Sequence, residues 1–266
     1  MRLILADTAD SAPRGTNRAS SRGRTVQNVS HSPVAAPPID LSTAEERAYL
    51  REALRRPMGQ YRARRAAQLS GIPQRTLYDW ARHDVLTPDY PGRPTRWSYR
   101  DLVYLRLLAW LRGKGMPRPD AAARVRDIRA FLQAPGEGRT TLRSDGIGLL
   151  IGDENVDRLS GQAVLDGMLN YFDVFDLTAP IKVAEWGRRR LWGPNLVRPS
   201  GHTSISPLVM AGEPCVRGTR VPTSVLYALR AERGLQPAQL ARLYPGLEPD
   251  EVADALALEN RLRLAA

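Results

Sequence analysis

The fold is decided by residues 61–88, which read YRARRAAQLSGIPQRTLYDWARHDVLTP. The pattern predicts one helix over Ala63–Leu69, which ends at Gly71, and a second helix over Gln74–His83. The two predicted helices are separated by Gly71-Ile72-Pro73. Helices joined by a turn of this length and chemistry are typical of a helix-turn-helix.

The second predicted helix has one apolar face and one cationic face. Leu77, Trp80 and Ala81 occupy positions i, i+3 and i+4 and are predicted to face inward, whereas Arg75, Tyr78 and Arg82 share the opposite face. A helix of this kind is suited to the major groove, where arginine donates to guanine O6 and N7. The alternative is that these are solvated charges on an ordinary surface helix. The residues predicted to contact DNA are Arg62, Arg64, Arg65, Gln74, Arg75, Tyr78, Arg82, Arg93 and Arg96.

The positive charge is concentrated around this motif. Residues 61–134 contain 15 lysines and arginines against 6 acidic residues, whereas residues 135–266 contain 15 against 16. The alternative is that the arginine excess partly reflects the coding bias of a GC-rich genome, but such a bias does not account for the shortage of acidic residues in one segment. The distribution therefore favours a nucleic-acid-binding face over residues 61–134.

The flanking segments predict a mainly α fold in five parts. Residues 1–38 are predicted to be a disordered basic tail, and residues 39–59 a short helical lead-in that starts at the Ser42–Glu45 capping box. Residues 60–134 are predicted to form a winged domain, with a wing over Thr87–Trp97, a helix capped by Ser98 and Asp101, and a last helix from Pro119.

The middle of the chain has a different pattern. Residues 135–200 are predicted to contain a small β-meander, with strands near Ile147–Ile151 and Val156–Leu159, and then an extended, irregular arm over Ile181–Pro199. Residues 201–266 are predicted to form a three-helix domain, with helices over Thr223–Glu232, Pro237–Tyr244 and Pro249–Leu264.

A compact box precedes the first of these three helices. Residues 205–222 read ISPLVMAGEPCVRGTRVP. Two guanidinium groups beside Gly218-Thr219 could hold an acidic group; a structural role is favoured, in which Arg220 caps helix carbonyls or pairs with Asp250 or Glu251. The predicted structural residues of this box are Gly212, Pro214, Gly218, Thr219 and Arg220.

Residues 60–133 resemble the winged-helix DNA-binding domain of MerR-type regulators. Ala67, Gly71, Thr76, Leu77 and Leu86 occupy positions typical of that family, and Arg96 matches its wing arginine. The chain departs from the family at Tyr78-Asp79, where an Arg-Tyr pair is usual, and at Pro73, which replaces a polar N-cap. It also lacks the family's long dimerisation helix, so any dimer interface is expected elsewhere.

Residues 205–262 resemble a small trihelical domain of unknown function that is defined by a Gly-x-Pro-x-Val-x-Gly-Thr-Arg box and a Tyr-Pro-x-Leu turn. The box lies at Gly212–Arg220 and the turn at Tyr244–Leu247. Joined to a MerR-like head, this domain resembles a subgroup of VapB-type antitoxins. The resemblance implies the antitoxin of a type II toxin-antitoxin module, which neutralises a PIN-domain ribonuclease and represses its own operon.

A toxin of this class holds a metal with clustered carboxylates, so an antitoxin arginine could compete for that site. The predicted toxin-binding residues are Trp186, Arg188, Arg189, Arg190 and Trp192, because arginine and tryptophan are enriched among interface anchors. The alternative is a solvated basic loop whose tryptophans pack on the chain's own core. The expected partners are operator DNA and the toxin, in a homodimer or a hetero-oligomer with the toxin.

A MerR-like, ligand-sensing transcriptional regulator without a toxin is the second hypothesis. Metal sensing is not expected, because Cys215 is the only cysteine and the three histidines are scattered. No apolar run approaches the roughly 20 residues of a membrane span, and the chain is predicted to be cytoplasmic. Neither a cofactor nor catalysis is expected, since no histidine has base-like partners and no carboxylates are spaced for a metal.

Overall fold

The computed structural model of the chain describes residues 44–135, 141–144, 149–150, 170–186 and 189–265. The predicted tail over residues 1–38 and the predicted strand Val156–Leu159 lie outside the described residues. Within the described residues the fold is mainly helical, with eight α-helices and short antiparallel strand pairs, so the predicted fold class is confirmed.

The amino-terminal head contains a helix-turn-helix and a wing. Its elements are α1 (Ala44–Arg55), β1 (Tyr61–Arg62), α2 (Ala63–Ser70), α3 (Gln74–Arg82), β2 (Arg96–Trp97), α4 (Tyr99–Gly113) and α5 (Arg118–Gln133). Strands β1 and β2 are antiparallel, with Tyr61 opposite Trp97 and Arg62 opposite Arg96. Both helices of the motif lie within one residue of their predicted bounds.

Helix α4 is the central helix of the head. The predicted cap is confirmed, because Ser98 Oγ accepts from the Asp101 backbone N–H at 3.1 Å and Asp101 Oδ2 accepts from the Ser98 N–H at 2.8 Å. The sequence spacing of Leu102, Leu105, Leu108 and Leu111 predicts a single apolar stripe on this helix, but almost all of α4 is buried, including Arg106. The reason is that α1, α2, α5 and a later hairpin all pack around this helix.

Arg106 is held by backbone carbonyls alone among the described residues. Its guanidinium group donates to the carbonyls of Leu69 at 2.7 Å and Ala179 at 2.8 Å, and also to those of Leu177, Thr178 and Pro194. Burial lowers the pKa of Arg106 to about 9. The side chain therefore remains a cation at neutral pH and connects the head to the middle segment.

The middle segment contains two small antiparallel sheets. The first has the order β4-β3-β5, formed by β3 (Thr141–Ser144), β4 (Leu149–Leu150) and β5 (Asn170–Asp173). The second is a hairpin of β6 (Ile181–Trp186) and β7 (Arg189–Gly193). An irregular arm was the wrong prediction for this stretch: its alternating Ile-Lys-Val-Ala-Glu-Trp pattern pairs as a strand.

The carboxyl-terminal unit is a strand pair followed by three helices. Strands β8 (Thr203–Ser204) and β9 (Cys215–Val216) are antiparallel, and they precede α6 (Thr223–Arg233), α7 (Pro237–Leu243) and α8 (Pro249–Ala265). The three helices agree with their predicted bounds within one residue. Their shared core includes Leu226, Leu240 and Val252.

Helix α8 belongs to two cores at once. Val252, Ala255 and Leu256 pack in the core of the carboxyl-terminal unit, whereas Leu258 and Leu262 pack in the core of the head. The sequence pattern suggests that the two ends of the chain are separate parts. In the structure they are packed against each other through α8.

Candidate nucleic-acid interface

Helix α3 presents an exposed polar face and is anchored from behind. Leu77 and Trp80 are buried, and the Thr76 N–H donates to the Pro73 carbonyl at 2.8 Å where the helix begins. The outward-facing side chains are Gln74, Arg75, Tyr78 and Arg82, all exposed. The outward orientation of this face is confirmed, and its contact with DNA stays a prediction.

Tyr78 and Asp79, where the chain departs from the MerR-type pattern, both have partners within the head. The Tyr78 ring packs edge-on against Trp97 of β2, with the ring centroids 5.8 Å apart. Asp79 pairs with Arg118 at 3.3 Å, and its carboxylate lies 3.1 Å from the His83 imidazole. Tyr78 therefore connects α3 to the wing, and Asp79 connects it to the start of α5.

The wing and the strand paired with it add cations beside α3. Arg62 and Arg96 lie opposite each other in the β1–β2 register. Arg64 and Arg93 are exposed at the start of α2 and in the wing loop. Among the described residues none of these four guanidinium groups has an ion-pair or hydrogen-bond partner. They are therefore available for charge-assisted hydrogen bonds to phosphate oxygens.

A buried ion cluster fixes the base of the wing. Asp89 accepts from Arg100 Nε at 2.7 Å, and it also accepts from Ser98 and Arg129. Burial alone would raise the pKa of Asp89, but the hydrogen bonds from Arg100 and Ser98 and the charge of Arg129 lower it. Arg100 and Arg129 are thus occupied internally, unlike the exposed arginines of the wing.

Arg65 requires a correction, because it is not available for DNA. Its side chain is buried and forms ion pairs with Glu213 at 2.8 Å and with Glu259 at 2.7 Å. Thr223 Oγ1 donates to the same Glu259 carboxylate at 2.6 Å. Burial would lower the pKa of Arg65, but the two carboxylates outweigh it and raise the pKa. Arg65 therefore joins the head to the carboxyl-terminal unit.

An open basic cleft lies where the head meets the carboxyl-terminal unit. It has a volume of about 310 Å³, and five arginines and two glutamates line it. The head lines one side of the cleft with Arg62, Arg64 and Arg96. The carboxyl-terminal unit lines the other side with Ser224 of α6 and Arg263 of α8. Five guanidinium groups against two carboxylates give the lining of the cleft a net charge of +3, and both carboxylates are paired with Arg65.

The Gly-Thr-Arg box forms a hydrogen-bonded turn, in which the structural contacts are made by the threonine and the backbone. Thr219 Oγ1 donates to the Val216 carbonyl at 2.9 Å and accepts from the Val221 N–H at 3.1 Å, while the Pro214 carbonyl accepts from the Thr223 N–H at 2.9 Å. Gly218 adopts φ +76 in this turn. Gly212 lies against the head, where a Cβ atom would overlap Tyr61 Oη.

Two other members of the box behave differently. The predicted pairing of Arg220 with Asp250 or Glu251 is wrong: Arg220 is exposed and has no hydrogen-bond or ion-pair partner within the described ranges. Cys215 is buried, and desolvation raises the pKa of its thiol to about 12. A buried thiol in this state is a poor nucleophile at neutral pH.

The carboxyl-terminal unit has relatives among known families. Residues 204–258 match DUF433, a family described as a protein of unknown function. The match includes the box, α6, α7 and the first half of α8, and it does not extend to the head. No curated protein and no solved structure gives a significant match to the chain. The MerR-like and VapB-type resemblances therefore stay predictions.

The proposed toxin-binding residues are only partly described. Trp186 and Arg189 lie opposite each other at the end of the β6–β7 hairpin, with Arg190 opposite Glu185, and Arg188 lies outside the described residues. Trp192 is half-buried against the head core, and the Arg261 guanidinium lies 4.3 Å from its ring centroid. The position of Trp192 agrees with the alternative in which this tryptophan packs on its own core.

Three residues important to this region were not found by sequence reasoning. Arg106 and Glu259 owe their roles to partners far along the chain, such as Arg65, which is separated from Glu259 by 194 residues. Arg263 owes its role to the cleft that it lines together with head residues. One signal was present for Glu259. It lies three residues before Leu262 and three after Leu256, at an inward position of an apolar helix. An acid at such a position is expected to be paired.

The described part of the chain contains neither a membrane-spanning helix nor a cluster of metal-binding side chains. No helix there is long and apolar enough to cross a membrane. No group of three or more histidine, cysteine or acidic side chains there is placed to hold a metal ion.

Proposed function

We propose that this chain is a DNA-binding repressor that acts as the antitoxin of a type II toxin-antitoxin module. The observation that carries the DNA-binding half is the exposed face of α3, with Arg75, Tyr78 and Arg82 projecting from a helix-turn-helix. The exposed arginines of the adjoining wing support it.

In this proposal α3 enters the major groove. Arg75 and Arg82 donate to guanine O6 and N7, and Tyr78 reaches a phosphate or a thymine methyl group. Arg62, Arg64, Arg93 and Arg96 contact the phosphates that flank the groove, which sets the position of the head without reading sequence. The base of the wing is held by the Asp89 cluster, so these arginines are presented from a fixed scaffold.

The head binds as part of a dimer in this proposal, because repressors of this type read paired half-sites. If each head neutralises about four phosphates, the logarithm of the binding constant should fall against the logarithm of salt concentration with a slope near −7, at about −0.9 per phosphate.

The DNA-binding half is tested with the full-length protein and a duplex that contains the region upstream of its gene, by fluorescence anisotropy over a salt series. Arg75→Ala and Arg82→Ala are each expected to weaken binding by about 1–3 kcal/mol. Arg242→Ala is the matched control, because Arg242 is an exposed arginine of α7 without a partner in the described part of the chain. Failure of the wild-type protein to bind any duplex at low ionic strength would contradict the proposal.

The antitoxin half is supported by the resemblance of residues 205–262, together with the head, to VapB-type antitoxins. The toxin-facing candidates are the hairpin residues Trp186, Arg188, Arg189 and Arg190, since an arginine placed among metal-binding carboxylates competes with the metal. Trp192 is not among them, because it packs against the head.

The test is to co-express the chain with the product of the neighbouring gene and to measure ribonuclease activity. Inhibition by the wild-type protein that is reduced by Arg189→Ala and Arg190→Ala, with Arg242→Ala unchanged, is the expected result. A PIN-domain nuclease that keeps full activity beside an excess of this protein would refute the antitoxin half and leave the DNA-binding half to be judged on its own test.

A further inference from the structure

A continuous path connects the recognition helix to the carboxyl-terminal unit. Tyr78 of α3 contacts Trp97 of β2, and the neighbouring Arg96 lies opposite Arg62. Arg62 and Arg96 form one wall of the basic cleft, and Ser224 and Arg263 form part of the other. The cations that flank α3 are therefore followed, across the cleft, by the hydroxyl group of Ser224 in α6 and the guanidinium group of Arg263 in α8.

Arg263 is held in position at this cleft. Its guanidinium group lies 4.0 Å from the centroid of the Tyr227 ring. Its Nε atom is 3.8 Å from Glu259 Oε2, which is too far for a hydrogen bond. Both oxygens of Glu259 already accept hydrogen bonds from Arg65. Arg263 is thus oriented by Tyr227 and by a long ion pair with Glu259, while its N–H groups donate no hydrogen bond within the described residues. A positioned guanidinium loses little freedom on meeting a phosphate.

Ser224 adds a hydroxyl group to the same wall. The residue is half-buried near the start of α6, and its side chain has no hydrogen-bond partner among the described residues. A serine hydroxyl beside two or three guanidinium groups is a common donor set for a phosphate oxygen.

We propose that the cleft binds a phosphate group of the DNA backbone, so that Arg263 and Ser224 make the carboxyl-terminal unit part of the DNA-binding surface. This inference rests on the proposed function, and it extends that function beyond the helix-turn-helix. A backbone phosphate is favoured as the source because the cleft is open and shares Arg62 and Arg96 with the wing. A free phosphate-bearing ligand has the same chemistry, and the experiment distinguishes the two.

The experiment measures the salt dependence of duplex binding by the full-length protein and its variants. Arg263→Gln removes the charge of the far wall, and Ser224→Asp introduces a negative charge into that wall. Each is expected to weaken binding several-fold, and Arg263→Gln should reduce the steepness of the salt slope by about 0.9 for each cleft that loses its phosphate. Arg242→Ala, in the same unit but outside the cleft, is expected to leave the slope unchanged.

The possible outcomes separate the two proposals. If Arg75→Ala weakens binding while Arg263→Gln and Ser224→Asp leave both affinity and slope unchanged, the cleft inference is overturned and the proposed function stands. If the wild-type protein binds no duplex, both are overturned. If inorganic phosphate raises the Tm of the wild type but not of Arg263→Gln, with the DNA slope unchanged, the cleft belongs to a free anion and the backbone assignment is overturned.

Discussion

Arg65 forms buried ion pairs that join the head to the carboxyl-terminal unit. Arg65 lies in the first helix of the helix-turn-helix, and its carboxylate partners are Glu213, within the Gly-Thr-Arg box, and Glu259, in α8. Removing one member of a buried ion pair leaves the other charge desolvated without compensation, which is costlier than the loss of an exposed pair.

Arg65→Ala is therefore expected to lower the free energy of unfolding by about 3 kcal/mol or more. Arg64→Ala is the matched control, since Arg64 is the exposed neighbour without a partner in the described ranges, and its loss should change stability by less than about 0.5 kcal/mol. Urea unfolding followed by tryptophan fluorescence measures both values. Equal stabilities for the two variants would show that the ion pairs contribute nothing.

Helical periodicity was enough to place Arg75, Tyr78 and Arg82 on the exposed face of α3. It was not enough for Arg65. Periodicity shows which side chains point away from a helix's own core, but it does not show whether they meet solvent or a segment that is distant in sequence. The same reason explains Arg220, whose expected acidic partners, Asp250 and Glu251, lie in α8 and do not contact it. Local pattern predicts the direction of a side chain; the identity of its neighbour depends on the tertiary fold.

At the scale of elements, the turn of the helix-turn-helix is also a docking point for the hairpin. Gly71 ends α2 with φ +78, and a Cβ atom at this position would lie 2.8 Å from the Trp192 carbonyl oxygen of β7. A side chain here would therefore meet backbone that cannot rotate away. Gly234 ends α6 in the same left-handed conformation, with φ +68, but a Cβ atom there would have open space around it.

Gly71→Ala and Gly234→Ala form a matched pair. Gly234→Ala is expected to cost about 1–2 kcal/mol from the left-handed backbone alone. Gly71→Ala should cost a further 1–3 kcal/mol, roughly, because β7 must shift to accommodate the methyl group. Thermal and urea unfolding of both variants give the comparison, and equal costs would contradict the close packing of β7 on the turn.

The helices were predicted well because their ends carry local signals, such as Ser98 with Asp101 at the start of α4 and Gly71 at the end of α2. The β6–β7 hairpin was missed. The prolines and consecutive arginines of this stretch obscured an alternating pattern, and the hairpin's stability depends on packing against α2, α4 and α8 rather than on strand propensity alone. The burial of almost all of α4 was missed for the same reason.

At the scale of the whole molecule, α8 makes the head and the carboxyl-terminal unit interdependent. Tyr49 Oη of α1 lies 3.0 Å from Ser206 Oγ, and the Gln60 N–H donates to the Ala211 carbonyl at 2.8 Å. Together with the Arg65 ion pairs and with Leu258 and Leu262 in the head core, these contacts predict cooperative unfolding.

Two natural probes test this cooperativity. All five tryptophans precede residue 200, whereas the single cysteine, Cys215, lies in the carboxyl-terminal unit. Tryptophan fluorescence and the reactivity of the Cys215 thiol towards an aromatic disulfide are expected to change at the same urea concentration, because burial protects Cys215 until the fold opens. Separate midpoints would indicate two units that unfold independently.

Composition and local sequence pattern predicted the helices of the head and of the carboxyl-terminal unit, but not the packing of these two parts against each other. The contrast in charge between residues 61–134 and residues 135–266 suggested independent parts. The surfaces that join them, which include Arg65, Glu259 and the apolar face of α8, are distributed over distant segments, and no local pattern in any one of them identifies its partner.

The carbonyl groups around Arg106 set a lower limit on how far the chain must extend beyond α5 to support the winged head. A fragment that stops after α5 would keep Arg106 and the Leu69 carbonyl but lose every acceptor supplied by Leu177–Ala179 and Pro194. Such a truncation would leave the Arg106 cation in an apolar interior without most of its hydrogen-bond acceptors. The fold of the head therefore depends on residues well beyond α5. A truncated protein that is made to study the head must extend at least through Pro194.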